Sequence, residues 1–119
     1  MAERVLLALG ALAGLLGVAF SAMATHLAAG GTLQVSAQFL LFHAAALVGL
    51  AALIMGAHVG RRAALLAGYG LVAGLALFSG DLASRALAGQ ALLPNAAPTG
   101  GVLLMLGWIA LGVAAFVRR

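Results

Sequence analysis

Apolar residues run along this chain in four long stretches, each parted from the next by a short turn or charge signal. A helix needs about 20 apolar residues to cross the hydrocarbon layer of a bilayer. Stretches at 5–24, 35–57, 63–86 and 99–117 meet that need. The breaks read "AAGGT" after the first, "GRR" after the second and "AGQALLPNAAP" after the third. Pro98 suits the first turn of the last helix, where a missing N–H costs nothing. The pattern predicts an all-α fold, one domain over 1–119, built as an integral membrane bundle of four transmembrane helices.

Composition strengthens that expectation. Residues of the hydrophobic class make up 66% and charged residues 7%, against about 25% charged in a soluble domain. The mean hydropathy is +1.23. There is no cysteine, so neither a disulfide framework nor a thiolate metal site can form. The net charge of +4 does not point to nucleic acid, because the six basic residues are scattered arginines and not a dense stripe. The partner they indicate is a lipid bilayer. If the helices alternate, Arg4, Arg61, Arg62, Arg118 and Arg119 share one side and only Arg85 falls on the other. The positive-inside rule then predicts both termini in the cytoplasm. "MAER", the apolar run and Ala22-Met23-Ala24 also resemble a secretory signal with its cleavage site. That run is as long as the other spans, so it is read as a retained first helix.

Lipid tails are as apolar as leucine, so small residues that admit close backbone approach must hold the helices together. The chain has 17 glycines. Gly10, Gly14, Gly17 and Ser21 form one stripe, Gly70 and Gly74 a second, and Gly100 and Gly107 a third. Seven residues return a helix to nearly the same face, so Asp81 shares the face of Gly74 and should point at a neighbouring helix. Arg85 follows it by four, the better order for an ion pair. Asp81 is thus either half of an interfacial ion pair or a polar group in a protein-lined cavity.

Three histidines invite the same weighing. His58 adjoins Arg61 and Arg62 and reads as a headgroup-facing residue. His26 follows the first helix, in the connection that carries Gly30 and Gly31. His43 lies about nine residues into the second span, some 13 Å below its boundary. Unpaired ring nitrogens at that depth cost a few kcal/mol, so His43 should face the bundle, with Ser36, Phe39, Leu47 and Leu50 on its side. It is a core histidine bonded to another helix, a proton-relay or ligand-binding group, or a metal or haem ligand. With the expected topology, His26, Gln34, Gln38, His43, Ser79, Asp81, Arg85, Asn95 and Thr99 all fall in or near the outer half. A site, if present, opens outward, with His26, His43, Ser79, Asp81, Arg85 and Thr99 as its candidate polar lining.

"LFHAAALVGLAAL", "LFSGDL" and "APTGGVLLMLGWIALG" together resemble the YgdD-like family, small four-helix bacterial membrane proteins classed as a domain of unknown function. His26 matches that family's first motif and His43 the second. Phe78, Ser79 and Gly80 match the third, and Pro98, Gly100, Gly101, Gly107 and Trp108 the fourth. Thr25 stands where the family prefers Ala, Phe39 and Leu40 where it has Tyr-Gln, and Asp81 where it usually has Ser. The resemblance implies a fold and a bacterial inner membrane, and no mechanism. It also moves weight from Asp81 to His26 and His43.

No nucleophile–base pair, phosphate loop or soluble domain is present. The expected function is therefore non-enzymatic: an accessory, assembly or membrane-organising subunit, with a membrane-protein partner or a homo-oligomer, and without a cofactor. The alternative is a carrier or sensor of protons or a small solute, using an outward pocket around His26 and His43. A third reading is a haem or copper binder, which requires both histidines to reach one centre.

Overall fold

The computed structural model describes residues 1–27 and 30–117. They form α1 (Ala2–His26), α2 (Gly30–Met55), α3 (Arg61–Ala88) and α4 (Ala96–Ala114), with no strand among the described residues. All four are long and apolar enough to cross a membrane. The bundle measures 47 × 26 × 20 Å. Two hairpins, α1–α2 and α3–α4, join along a seam between α2 and α3, while α1 and α3 touch only lightly. The start of α1, the end of α4 and the α2–α3 connection lie at one end, here called the terminal end.

The helix limits differ from the pattern-based ones in informative ways. Gly30 and Gly31 belong to α2, which begins five residues before the expected position 35. Gly30 has φ +78, so a turn residue opens the helix instead of separating it. His26 is accordingly the last residue of α1 and not part of the connection. At its other end α2 stops at Met55, not 57. His58 N–H donates to the Leu53 carbonyl at 3.0 Å and Ala57 N–H to Ile54 at 3.1 Å. These are the two bonds of a Schellman closure, with Ala57 at φ 55 in the left-handed position usually given to glycine. α3 extends two residues beyond the expected limit at each end and stops at Gly89, φ 71. α4 starts at Ala96, so Pro98 still falls in the first turn. Arg118 and Arg119, which entered the charge argument, lie outside the described residues.

Glycine sets the helix spacing. A Cβ on Gly100 would sit 2.5 Å from the Phe78 nitrogen and 2.7 Å from the Gly74 carbonyl. One on Gly74 would meet the Leu104 nitrogen at 2.8 Å and the Gly100 carbonyl at 2.9 Å. α3 and α4 therefore touch backbone to backbone. Below that crossing, Gly107 receives Leu71 and faces Gly70. On the other hairpin, Gly10, Gly14 and Gly17 lie against Leu47, Ala44 and Leu41 of α2. At the terminal end, Arg61 donates to Glu3 at 2.9 Å and the Tyr69 hydroxyl to the Ala2 carbonyl at 2.9 Å, which tie the start of α1 to α3.

The crossing generates a contrast between two glycines of α4. Gly100→Ala should lower the unfolding temperature in detergent, by an overpacking cost of about 1–3 kcal/mol. Gly112→Ala, where nothing lies within 4 Å, should leave stability unchanged or raise it by up to about 1 kcal/mol through helix propensity. Circular dichroism melting of both variants checks this, and equal melting would remove Gly100 from the packing argument.

Candidate functional site

His43 is 5% exposed and stands in an aromatic cluster drawn from three helices. Phe39 stacks on it one turn earlier, ring centroids 5.8 Å apart, and Phe78 of α3 packs on Phe39 at 4.4 Å. Trp108 of α4 lies 5.7 Å from the imidazole. Both ring nitrogens are engaged: Nδ1 is 2.7 Å from the Phe39 carbonyl, and Nε2 is 3.1 Å from the Trp108 indole nitrogen. An indole N–H can only donate and a carbonyl can only accept. Nε2 must therefore be the bare nitrogen, and Nδ1 carries the hydrogen. This bonding pattern belongs to one neutral tautomer.

The pair also explains where Trp108 sits. Tryptophan in membrane proteins gathers at the two interfaces, where its N–H finds water or headgroups. Trp108 instead follows Gly107, which packs on Leu71 in the middle part of α3. Its indole is 46% exposed on the bundle flank, yet its one polar atom is turned inward onto His43. Neither α2 backbone nor α1 backbone approaches α4, so this bond is a side-chain bridge from α4 to α2 across the face of α3.

Two further polar groupings lie deeper toward the other end. Ser36 and Ser79 are buried and exchange bonds between α2 and α3. The Ser36 hydroxyl donates to the Ser79 carbonyl at 2.8 Å, and the Ser79 hydroxyl to the Ser36 carbonyl at 3.3 Å. Hydroxyls that bond a neighbouring helix serve as fasteners where water is absent. Asp81 has no exposed surface. One carboxylate oxygen accepts from Arg85 Nε at 2.8 Å and the other from the Leu92 amide at 2.8 Å, in the α3–α4 connection. Asn95, the residue before α4, caps it with no side-chain bond. Asp81 fastens the turn between the two helices as well as pairing with Arg85.

The six candidate residues do not form one cluster. The Gly17–Leu41 and Gly10–Leu47 contacts fix the α1–α2 register and bring His26 level with about residue 32 of α2. His43 is eleven residues further on, about 16 Å along the axis. By the Ser36–Ser79 register, Asp81 is about 14 Å from the level of His43. His26 and Thr99 are exposed, and no hydrogen bond among the described residues joins their side chains to the others. Among the described residues no group of three or more His, Cys, Asp or Glu side chains could hold one metal ion. Two adjoining clefts lie between α1, α2 and α3, and their walls are apolar apart from Ser79, the one candidate residue that lines them.

The partners of these groups are not evident from the sequence pattern: Trp108 stands there only within a motif and Ser36 only beside His43, and the Leu92 amide carries no side-chain signal at all. A usable signal did exist for Trp108. A single indole placed far from both ends of a span requires an acceptor, and His43 is the polar residue nearest mid-span.

The Asp81 geometry predicts a ranking. Asp81→Asn keeps an acceptor for the Leu92 amide and loses the ion pair, whereas Asp81→Leu loses both. Thermal unfolding should fall in the order wild type, Asn variant, Leu variant, with limited proteolysis opening first at the α3–α4 connection. Equal stability of the Asn and Leu variants would show that the Leu92 bond contributes nothing.

No solved structure matches the chain. Residues 16–101, spanning parts of all four helices, match the family model described as "Protein of unknown function (DUF423)". That match extends over most of the sequence and carries the aromatic and serine residues just described up to Gly101. The chain belongs to the DUF423 family.

Proposed function

We propose that this chain is a multi-pass protein of the bacterial inner membrane, with both termini cytoplasmic, acting as a non-enzymatic accessory, assembly or membrane-organising subunit. The order of its motifs supports a YgdD-like member of the family. Arg4, Arg61 and Arg62 at the terminal end support the orientation, since Arg85 at the other end is engaged with Asp81.

One observation carries the functional reading. Every buried polar side-chain atom among the described residues has a hydrogen-bond partner in the protein. His43, Ser36, Ser79 and Asp81 are consumed in holding helices together, and the two clefts between α1, α2 and α3 are lined by hydrocarbon apart from the already bonded hydroxyl of Ser79. Those clefts offer a solute no polar path. What the bundle leaves available is its outer surface, where Leu15, Val18, Phe42, Leu66, Met105 and Ile109 are more than half exposed. A carrier or sensor built on His26 and His43 would need both to share one aqueous pocket, as a haem or copper centre would need both within reach.

The test is the mass of the protein extracted gently from its native membrane, with co-purifying species identified. A stoichiometric second membrane protein is the expected result. Recovery only as a bare monomer or a homo-oligomer would overturn the accessory reading.

A further inference from the structure

The seam between α1 and α3 is the loosest in the bundle, and both clefts lie along it. They share Leu16, Leu40, Leu75 and Ala76, so they form one groove whose floor is α2. On the α1 wall it runs from Leu9 to Phe20, eleven residues or about 16 Å. The part nearer the termini holds about 150 Å³ and the part toward the opposite end about 320 Å³. Its one polar side chain is Ser79, whose hydroxyl is already bonded to Ser36. Leu9 and Phe20 lie well inside Ala2–His26, so the groove sits wholly within the apolar stretch of the helices.

Size and chemistry decide the occupant. Even the whole empty space of the two parts, about 450 and 600 Å³, spread over that length gives a section of at most roughly 65 Å², against about 80 Å² for a helix of 10 Å diameter. No helix of a partner can enter. Nor can the groove serve as the contact with a second copy, because specific association needs about 800 Å² from each side. The walls carry no free donor, acceptor or charge to complement a peptide or polar solute. An empty groove would leave its leucines without dispersion partners on one side. A narrow, unbranched hydrocarbon fits all of these constraints.

We propose that the α1–α3 groove holds one acyl chain of a specifically bound phospholipid, entering from the leaflet at the end opposite the termini, where the groove is wider. This rests on the membrane placement above and not on the accessory role. Ala76 is the point of control, since it belongs to both parts of the groove and is itself exposed, so a larger side chain there fills the channel without displacing a buried neighbour.

Native mass spectrometry of the full chain, released from mild detergent after extensive washing, tests the proposal. Recovery in the membrane fraction beforehand checks the placement separately. Wild type should retain one phospholipid per chain. Ala76→Phe should lower that retention roughly tenfold, the equivalent of about two methylenes of lost contact. Ala11→Phe, an equal change at an exposed position of α1 outside the groove, should keep it. Adding palmitoyl-oleoyl phosphatidylglycerol to washed protein should raise the unfolding temperature of wild type and Ala11→Phe, and not of Ala76→Phe. A wild type that retains no lipid overturns the proposal. So does equal retention by both variants, which marks annular lipid, or retention of a polyisoprenoid in place of a phospholipid.

Discussion

Hydrocarbon offers no water to a hydroxyl, an imidazole or a carboxylate, and the architecture follows from that constraint. Each buried polar side chain of this bundle answers to another helix or to a connection. His43 accepts from Trp108, Ser36 and Ser79 answer each other, and Asp81 accepts from the Leu92 amide while pairing with Arg85. These bonds join α2 to α4, α2 to α3, and α3 to the turn before α4. Polar residues here perform the joining that hydrophobic burial performs in a soluble domain, because leucine gains nothing by leaving lipid for leucine.

Small residues supply the rest, and their uneven distribution shapes the molecule. Gly74 and Gly100 bring α3 and α4 into backbone contact, and Gly10, Gly14 and Gly17 bring α1 close to α2. Between α1 and α3, Gly68 still takes Leu6 near the terminal end, but beyond it the facing residues are larger, Leu9, Leu12 and Leu16 against Val72 and Leu75, and the helices stand apart. The lateral groove is therefore a consequence of where glycine is absent. A bundle with glycine along all of its seams would have had no such opening.

Much of this was readable in the sequence, because depth along a span is a one-dimensional quantity. Span count, the glycine faces and the inward aim of Asp81 all follow from spacing on a single helix. Helix ends were harder: "AAGGT" contains turn residues, yet its glycines and threonine open α2, since a glycine with positive φ serves equally as a break or a beginning. The candidate site was harder still. His43 stands apart by depth, about 16 Å from the level of His26, whereas residues that share a depth, such as His26 and Asp81, meet only if the rotation of each helix allows it. His26 and His43 both lie toward one side of the sequence pattern, yet one ends on the surface and the other beneath Trp108. Phe39 serves His43 twice, through its ring and through its backbone carbonyl.

The central claim is that the polar residues are fasteners and not an open site, and the state of the His43 ring tests it most directly. Nitrogen chemical shifts of ¹⁵N-histidine-labelled protein in lipid bicelles distinguish a hydrogen-bearing from a bare ring nitrogen. The account predicts a neutral His43 with hydrogen on Nδ1 and bare Nε2, a scalar coupling to the Trp108 indole N–H, and slow exchange of that proton with water. A ring with hydrogen on Nε2, or an indole proton that exchanges freely, would contradict it and return His43 to the role of a working, water-exposed group.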